Sequence, residues 1–338
     1  MTSKQITAIG LLSGGLDSIL ACRTIMAQGI RVVAIKFVTP FFGYDLLARA
    51  AEHRETVRQK YGIDVELRDV SAEYLELLRH PAHGFGKHFN PCIDCKIFML
   101  TQARQLLPEY GASFIFTGEV VGQRPMSQRR DTLRVIERDS GCEGLLLRPL
   151  CAQNLAPTPM EENGLVDRAR LLNFSGRNRR PQMELAARLN IRDYPSPAGG
   201  CFLADPTLGA RLARFYQEQE RFTVDDIRRL LVGRQFRLPN GGWLTIGRNQ
   251  QDNERLAVLV GPATLQLETV DRPGPLALLN HAPDQADRRL AARLVARYAK
   301  KEPGLPVAVE VALTGPDGTG ERLAAEPLAD QEFADWRR

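Results

Sequence analysis

Two sets of residues in this 338-residue chain have the types and spacing to do chemistry. The first is Ser13-Gly14-Gly15-Leu16-Asp17-Ser18, lying between an apolar run suited to a buried strand and the start of a helix. Glycines let the backbone turn tightly and bare its amides. Hydroxyls at 13 and 18 and the positive end of a helix complete an anion cradle. No GK[ST] ending follows, so this is not the triphosphate loop that holds β/γ-phosphates with lysine. A glycine-rich turn with Asp17 as a plain helix cap is the structural alternative. The second set is the cysteines at 22, 92, 95, 142, 151 and 201. Cys92-Ile93-Asp94-Cys95 stands just before a helix, where turn geometry brings two sulfurs together and the helix amino end favours thiolates. Cys201 ends Ser196-Pro197-Ala198-Gly199-Gly200, read as a flexible, helix-free loop. Soft thiolates suit iron–sulfur or zinc. A redox relay, in which one cysteine carries a persulfide and another attacks it to form a disulfide, fits the same residues. Cys22 shares an apolar helix face with Ile19 and Met26 and reads as core.

Positioning these residues requires a particular set of elements. Ile6–Leu12, Arg31–Val38, Ile63–Val70 and Ser113–Thr117 read as strands, alternating with helices to about Gln28, around Asp45–Lys60 and over Lys96–Leu107. That alternation predicts a parallel sheet with crossover helices. It loosens after Leu150, where prolines punctuate the chain and Pro181 opens a helix through Asn190. Arg211–Glu220 and Phe222–Leu231 read as helices, with Thr223 or Asp225 as a cap. Beyond them Phe236–Leu238, Trp243–Ile246, Ala257–Val260, Leu265–Val270 and Val307–Leu313 read as short strands between glycine-rich turns. The expected organisation is α/β, a Rossmann-like parallel sheet over 1–220 followed by a smaller α+β domain over 221–338.

Composition agrees with two folded domains: 43% hydrophobic and 25% charged residues exclude disorder and fibrous repeats. No apolar stretch approaches the roughly 20 residues of a membrane span. Met1-Thr2-Ser3-Lys4-Gln5 enters a strand without a signal pattern. A cytoplasmic protein with no membrane partner is expected, and oligomeric state is left open. Lys and Arg number 45 against 40 Asp and Glu, a net charge of +5. The excess clusters in 121–138 and 167–192, the latter with Arg177, Arg179 and Arg180 before the Pro181 helix. Such basic surface attracts phosphate, of RNA or of ATP; solvated arginine loops are the plainer reading.

The SGGLDS run resembles the PP-loop of ATP pyrophosphatases, which cleave ATP to AMP and pyrophosphate. That resemblance spans about 5–205. It implies an adenine nucleotide hydrolase sheet in which Ser13, Gly14, Gly15, Asp17 and Ser18 hold ATP phosphates with Mg²⁺. It places Lys36 and Phe37, at the end of the second strand, as neighbours of the base. Thr117-Gly118-Glu119-Val120-Val121-Gly122-Gln123, then Ser127-Gln128, is similar to the TGE-x-x-GQ-x-x-SQ signature of tRNA 4-thiouridine synthetases, with one extra residue before SQ. Arg148-Pro149-Leu150 also matches that family. Thr117, Gly118 and Gln123 then lie near the nucleotide or the target base. With the phosphate loop so near residue 1, the expectation is a protein without the amino-terminal RNA-binding (THUMP) region and without a rhodanese-like sulfur carrier.

A CxxC with one distant cysteine resembles the iron–sulfur-dependent tRNA thiolation enzymes, in which three thiolates hold a [4Fe–4S] cluster with one iron open for sulfide. Three protein ligands rather than four agree with an open iron rather than a closed zinc site. The resemblance implies Cys92, Cys95 and Cys201 as the sulfur-handling and metal-binding residues, with Cys151, and more weakly Cys142, as rivals for the third place. Asp17 and these three cysteines are the catalytic candidates. Gly247-Arg248-Asn249 with Arg272-Pro273-Gly274 resembles the NFACT-R type of RNA-associated domain over about 222–338. It makes Arg248 and Asn249, with Arg177, Arg179 and Arg180, the RNA-binding candidates. The implied function is an ATP-dependent tRNA sulfurtransferase making thiouridine, 4-thiouridine favoured. Its sulfur would come from sulfide or a persulfide carrier such as a cysteine desulfurase. The alternatives are another PP-loop enzyme that thiolates or amidates a small molecule, and a non-catalytic RNA-binding protein.

Overall fold

The computed structural model describes residues 5–195, 201–280, 284–301 and 303–338. The Met1-Thr2-Ser3-Lys4 entry and the Ser196–Gly200 loop expected before Cys201 lie outside the described residues. The chain divides into two compact units, Met1–Gly209 and Ala210–Arg338.

In the first unit the elements run β1 (Thr7–Leu11), α1 (Leu16–Met26), β2 (Arg31–Val38), α2 (Ala50–Tyr61), β3 (Val65–Asp69), α3 (Ser71–Leu77), α4 (Cys92–Tyr110) and β4 (Phe114–Phe116). They continue with α5 (Arg130–Asp139), β5 (Leu146–Leu147), α6 (Pro159–Glu162), α7 (Arg180–Arg188) and the start of α8 (Pro206–Glu218). The strands lie in the order β3-β2-β1-β4-β5, every pairing parallel. Alternate side chains serve opposite layers. Ala8, Ala34, Phe114 and Phe116 pack with Ile19, Leu20 and Ile25 of α1 and with Ala186 of α7. Ile9, Val33, Ile35 and Ile115 pack with Leu100 and Ala103 of α4 and with Ile136 of α5. A parallel sheet covered on both faces explains why these strands read as nearly continuous apolar runs. Cys22 is fully buried in the first layer, where burial pushes its thiol up to about 12, so it is core as expected. The chain winds outward from β1 to β3, then returns to β4 on the other side of β1. The strand order therefore reverses between β1 and β4, which is where open α/β sheets bind ligands.

The second unit takes the rest of α8, then α9 (Val224–Leu230), β6 (Arg234–Arg237), β7 (Trp243–Ile246), α10 (Gln250–Ala257), β8 (Leu265–Thr269), β9 (Ala277–Asn280), α11 (Gln285–Tyr298), β10 (Val309–Thr314) and β11 (Gly320–Ala325). Its sheet runs β11-β10-β8-β9-β7-β6 with antiparallel pairings. Helix α11 sets Ala291, Leu294 and Val295 against Phe236, Leu279 and Val311. The stretch expected as a strand over Ala257–Val260 instead finishes α10 and turns. Asn249 caps α10 by accepting from the Asp252 amide, and this local bond outweighs the β-branched residues that follow. Helix α11 is capped likewise by Asp284, and its arginines interrupt the apolar spacing that would have announced it. The division falls inside α8, ahead of the expected boundary. Phe215 on α8 stacks edge-on with Trp243 of β7 at 5.0 Å and with Phe222 at 5.1 Å, which holds that half of the helix to the second unit. Among the described residues no helix is long and apolar enough to cross a membrane.

Candidate nucleotide and thiol site

In the loop after β1, Gly15 N donates to Ser13 Oγ at 3.3 Å and Ser18 N to Gly15 O at 3.1 Å. Gly14 has φ of +89°, a conformation open to glycine. Gly15 is the N-cap of α1 in an extended conformation with no side-chain cap, so the helix's first amides are not taken by a side chain. The hydroxyls brace the turn: Ser18 Oγ donates to Gly15 O at 2.8 Å, and Ser13 Oγ donates to Ser18 Oγ at 3.2 Å. Lys36 reaches across from β2 and donates to Ser13 O at 3.0 Å. Burial lowers its pKa. Lys36 thus lies on the phosphate loop itself. Phe37 is packed into the core beside Ile9 and Val33, so its side chain is a packing element.

The loop after β4 closes against this cradle. A Cβ on Gly118 would stand 2.5 Å from the carbonyl carbon of Asp17 and 2.6 Å from Ser18 N, so glycine here lets the two loops touch backbone to backbone. Gln123 Nε2 donates to Asp17 Oδ2 at 2.6 Å, and Gln182 Nε2 donates to Gln123 Oε1 at 3.1 Å. Arg179 Nη2 stands 3.8 Å from the same Asp17 oxygen. Asp17 is therefore held by the second motif and is not a helix cap, and its Oδ1 is buried without a partner. The basic segment is docked here by backbone, Gly176 N donating to Val121 O at 2.8 Å. Of its three arginines only Arg179 reaches Asp17. Arg177 is exposed, and exposed Arg180 pairs with Glu184 at 2.9 Å.

A buried ion chain runs from this loop to the CxxC helix. Glu119 accepts from Thr117 Oγ1 at 3.0 Å and from Arg148 Nε at 3.3 Å, and its other oxygen lies 3.5 Å from Lys96 Nζ. Arg148 in turn donates to Glu137 at 2.8 Å. Burial raises the Glu119 carboxyl, but Lys96, Arg148 and Thr117 outweigh it and hold it below the usual range. Lys96 follows Cys95 directly, so this charge fixes the amino end of α4 against the β4 loop.

The three implicated thiols all act on Tyr74. Burial, and then the thiols of Cys95, Cys201 and Cys92, push the Tyr74 hydroxyl well above its ordinary range. That hydroxyl is buried without a well-formed hydrogen bond and faces Cys95. Burial pushes Cys95 up to about 11 although Tyr74 and Lys96 oppose the rise. Burial also raises Cys201, whose titration feels Cys92 and Arg124. Cys151, the rival ligand, is buried and donates to Glu119 O at 3.3 Å, with its thiol pushed up by burial to about 11. Cys142 lies in the core against Leu100 O at 3.7 Å. His83 is paired with Asp139 at 3.1 Å. Soft donors beside a buried hydroxyl suit a sulfur-handling group. Among the described residues, however, no three ligand-type side chains are close enough together to hold a metal ion. Sequence reasoning missed Tyr74, Lys96 and Gln182. Only Lys96, beside the CxxC, carried a local signal.

In the second unit the GRN run is partly structural. Asn249 caps α10, and Arg248 Nε donates to Asp252 at 2.7 Å, which raises the Arg248 pKa.

Residues 3–155 match the family model described as thiamine biosynthesis protein (ThiI), and residues 233–337 match the one described as NFACT protein RNA binding domain. The chain thus carries a segment similar to the ThiI family followed by one similar to an NFACT-type RNA-binding domain. It is 27% identical over 147 residues to a "Probable tRNA sulfurtransferase" of Thermococcus kodakarensis, covering 43% of this chain and 37% of that protein. It is 34% identical over 126 residues to a protein of the same description from Methanothermobacter thermautotrophicus, covering 35% and 30%. The chain thus spans about a third of the length of these curated relatives. The crystal structure of a 4-thiouridine synthetase–RNA complex with bound ATP aligns over 66% of this chain and 52% of that one, at 20% identity and a TM-score of 0.36.

Proposed function

We propose that the protein is an ATP-dependent tRNA sulfurtransferase that replaces a uridine carbonyl oxygen with sulfur, 4-thiouridine being the favoured product. One observation carries this reading: Asp17 of the phosphate loop is bonded to Gln123 of the second motif, so both signatures form one site. A carbonyl oxygen is a poor leaving group and must first be activated. The amides and hydroxyls of Ser13–Ser18, with Lys36, would grip the phosphates of ATP while the uridine oxygen attacks the α-phosphorus and pyrophosphate leaves. A sulfur nucleophile then attacks the carbon, and AMP departs carrying the former uridine oxygen. Gln123 and Arg179 orient Asp17. Arg177, Arg180, Arg248 and Asn249 are proposed RNA contacts.

Asp17 Oδ1, buried and unpartnered, fits a Mg²⁺ ion, which would neutralise phosphate charge. Cys92, Cys95 and Cys201 would hold a [4Fe–4S] cluster that presents sulfide; the same thiols suit a persulfide relay. The sulfur donor is proposed as sulfide or a persulfide carrier, and the setting as the cytoplasm. Nucleoside mass spectrometry of tRNA from a deletion strain tests the reading. Loss of a thiouridine is expected, and an unchanged thiouridine content would remove tRNA as the substrate.

A further inference from the structure

The second unit carries a basic hollow of its own. Arg234 opens β6 and places its guanidinium 4.5 Å from the centroid of the Tyr298 ring. It also donates to Gly247 O at 3.2 Å. Among the described residues no carboxylate pairs with it. Stacking on an aromatic face and one backbone bond pre-orient a planar fork whose other donors are unspent, the geometry that suits phosphate. Arg234 lines a cavity of about 330 Å³ with Arg248, Tyr298 and Lys300, and no Asp or Glu lines it. A second cavity of about 440 Å³ shares Gln250, Asn253 and the Pro273-Gly274-Pro275 wall, but carries Glu254 and Glu268. Arg234 is thus the guanidinium in the first hollow with donors to spare, Arg248 being paired with Asp252, and the neighbouring hollow adds carboxylates that can accept from exocyclic amines.

We propose that these adjoining hollows bind one unpaired nucleotide of an RNA strand, its phosphate against Arg234 and its base beside Gln250 and Asn253. The assignment rests on the RNA-binding part of the reading above and is independent of the sulfur chemistry. Volumes of this size match single small ligands, roughly 300–1,000 Å³. Sequence-selective RNA contacts favour unstacked bases. The wall is held rigidly: Asn253 Oδ1 accepts from Leu276 N at 3.2 Å, and Lys300 N donates to Pro273 O at 2.8 Å.

The test uses the full chain with fluorescently labelled single-stranded RNA octamers and matched duplexes, titrated at several salt concentrations. Arg234→Ala is expected to weaken single-strand binding about tenfold and to lower the salt slope by about one. Arg234→Lys, which keeps the charge and loses the fork, should fall between, with thermal melting unchanged in both. Glu268→Gln should alter the preference among homopolymers more than the overall affinity. Single-strand affinity unchanged in Arg234→Ala, while the wild type binds, would overturn the pocket. So would an equal loss on duplexes, since that marks a surface backbone contact. A wild type that binds octamers through Arg234 yet makes no thiouridine would sink the sulfur reading and leave this site standing.

Discussion

At the residue scale, the decisive contacts are few and close. Gly118 exists as glycine because the backbone of Asp17 and Ser18 occupies the place of a side chain. Gly118→Ala must push the β4 loop away from the phosphate loop. A displacement of about 1 Å at a reacting centre costs on the order of a hundredfold. Pyrophosphate release in the presence of tRNA should therefore fall by about that factor while the far-ultraviolet circular dichroism is kept. The cysteines divide by environment. Cys201→Ala is expected to abolish thiouridine formation, whereas Cys142→Ala, a change inside the core, should cost stability and leave product formation measurable. Quantifying thiouridine made by each purified variant checks this, and equal loss in both would undo the assignment of Cys201. The sequence could pair Cys92 with Cys95 by spacing alone. It could not say that Tyr74 interacts with Cys95, because a tyrosine in an ordinary helix carries no mark of what it faces.

At the scale of elements, buried charge and helix caps do the positioning. Glu119 links the β4 loop to α4 through Lys96 and to α5 through Arg148 and Glu137. Breaking a buried ion pair by removing one partner costs about 3–5 kcal/mol. Glu119→Gln should lower unfolding stability by about 3 kcal/mol in urea titration, with a further loss of thiolation because α4 is no longer held to the loop. In the second unit Thr223 caps α9 in a reciprocal box with Asp226. Burial raises the Asp226 carboxyl, but hydrogen bonds from Thr223 and the Arg229 guanidinium outweigh it and hold it below the usual range. A depressed carboxyl stabilises the fold above its unfolded pKa, and that stability is lost as pH falls through the folded value. Thr223→Ala should cost about 1 kcal/mol at neutral pH. The gap from wild type should narrow in acid, as urea titrations at pH 7 and pH 3 would reveal.

At the scale of the whole molecule, one unit gathers the residues proposed for nucleotide and sulfur chemistry, and the other holds the segment that matches an NFACT-type RNA-binding domain. If the thiols hold a cluster, anaerobically purified protein should contain about four iron and four sulfide per chain with a brown charge-transfer band. Cys92→Ala should remove both. A colourless protein with stoichiometric zinc would exclude the cluster. The order β3-β2-β1-β4-β5 brings the ends of β1 and β4 together, and this adjacency places two sequence motifs about a hundred residues apart in one site.

The sequence by itself determined the parallel α/β class, the phosphate loop, the second motif and the core role of Cys22. These follow from local patterns: buried strands read as apolar runs, glycines mark tight turns, and a cysteine on an apolar helix face goes inward. Local signals also misled over Ala257–Val260, where the helix capped by Asn249 runs on to Ala257 and the chain then turns. Tertiary structure decided the rest. Arg179 and not Arg177 or Arg180 reaches Asp17, Lys36 meets the phosphate loop while Phe37 turns into the core, and Gln182 completes the chain of amides. Each of these depends on which way a side chain leaves its element and on what another part of the chain has folded against it. Neighbours in sequence carry no record of that.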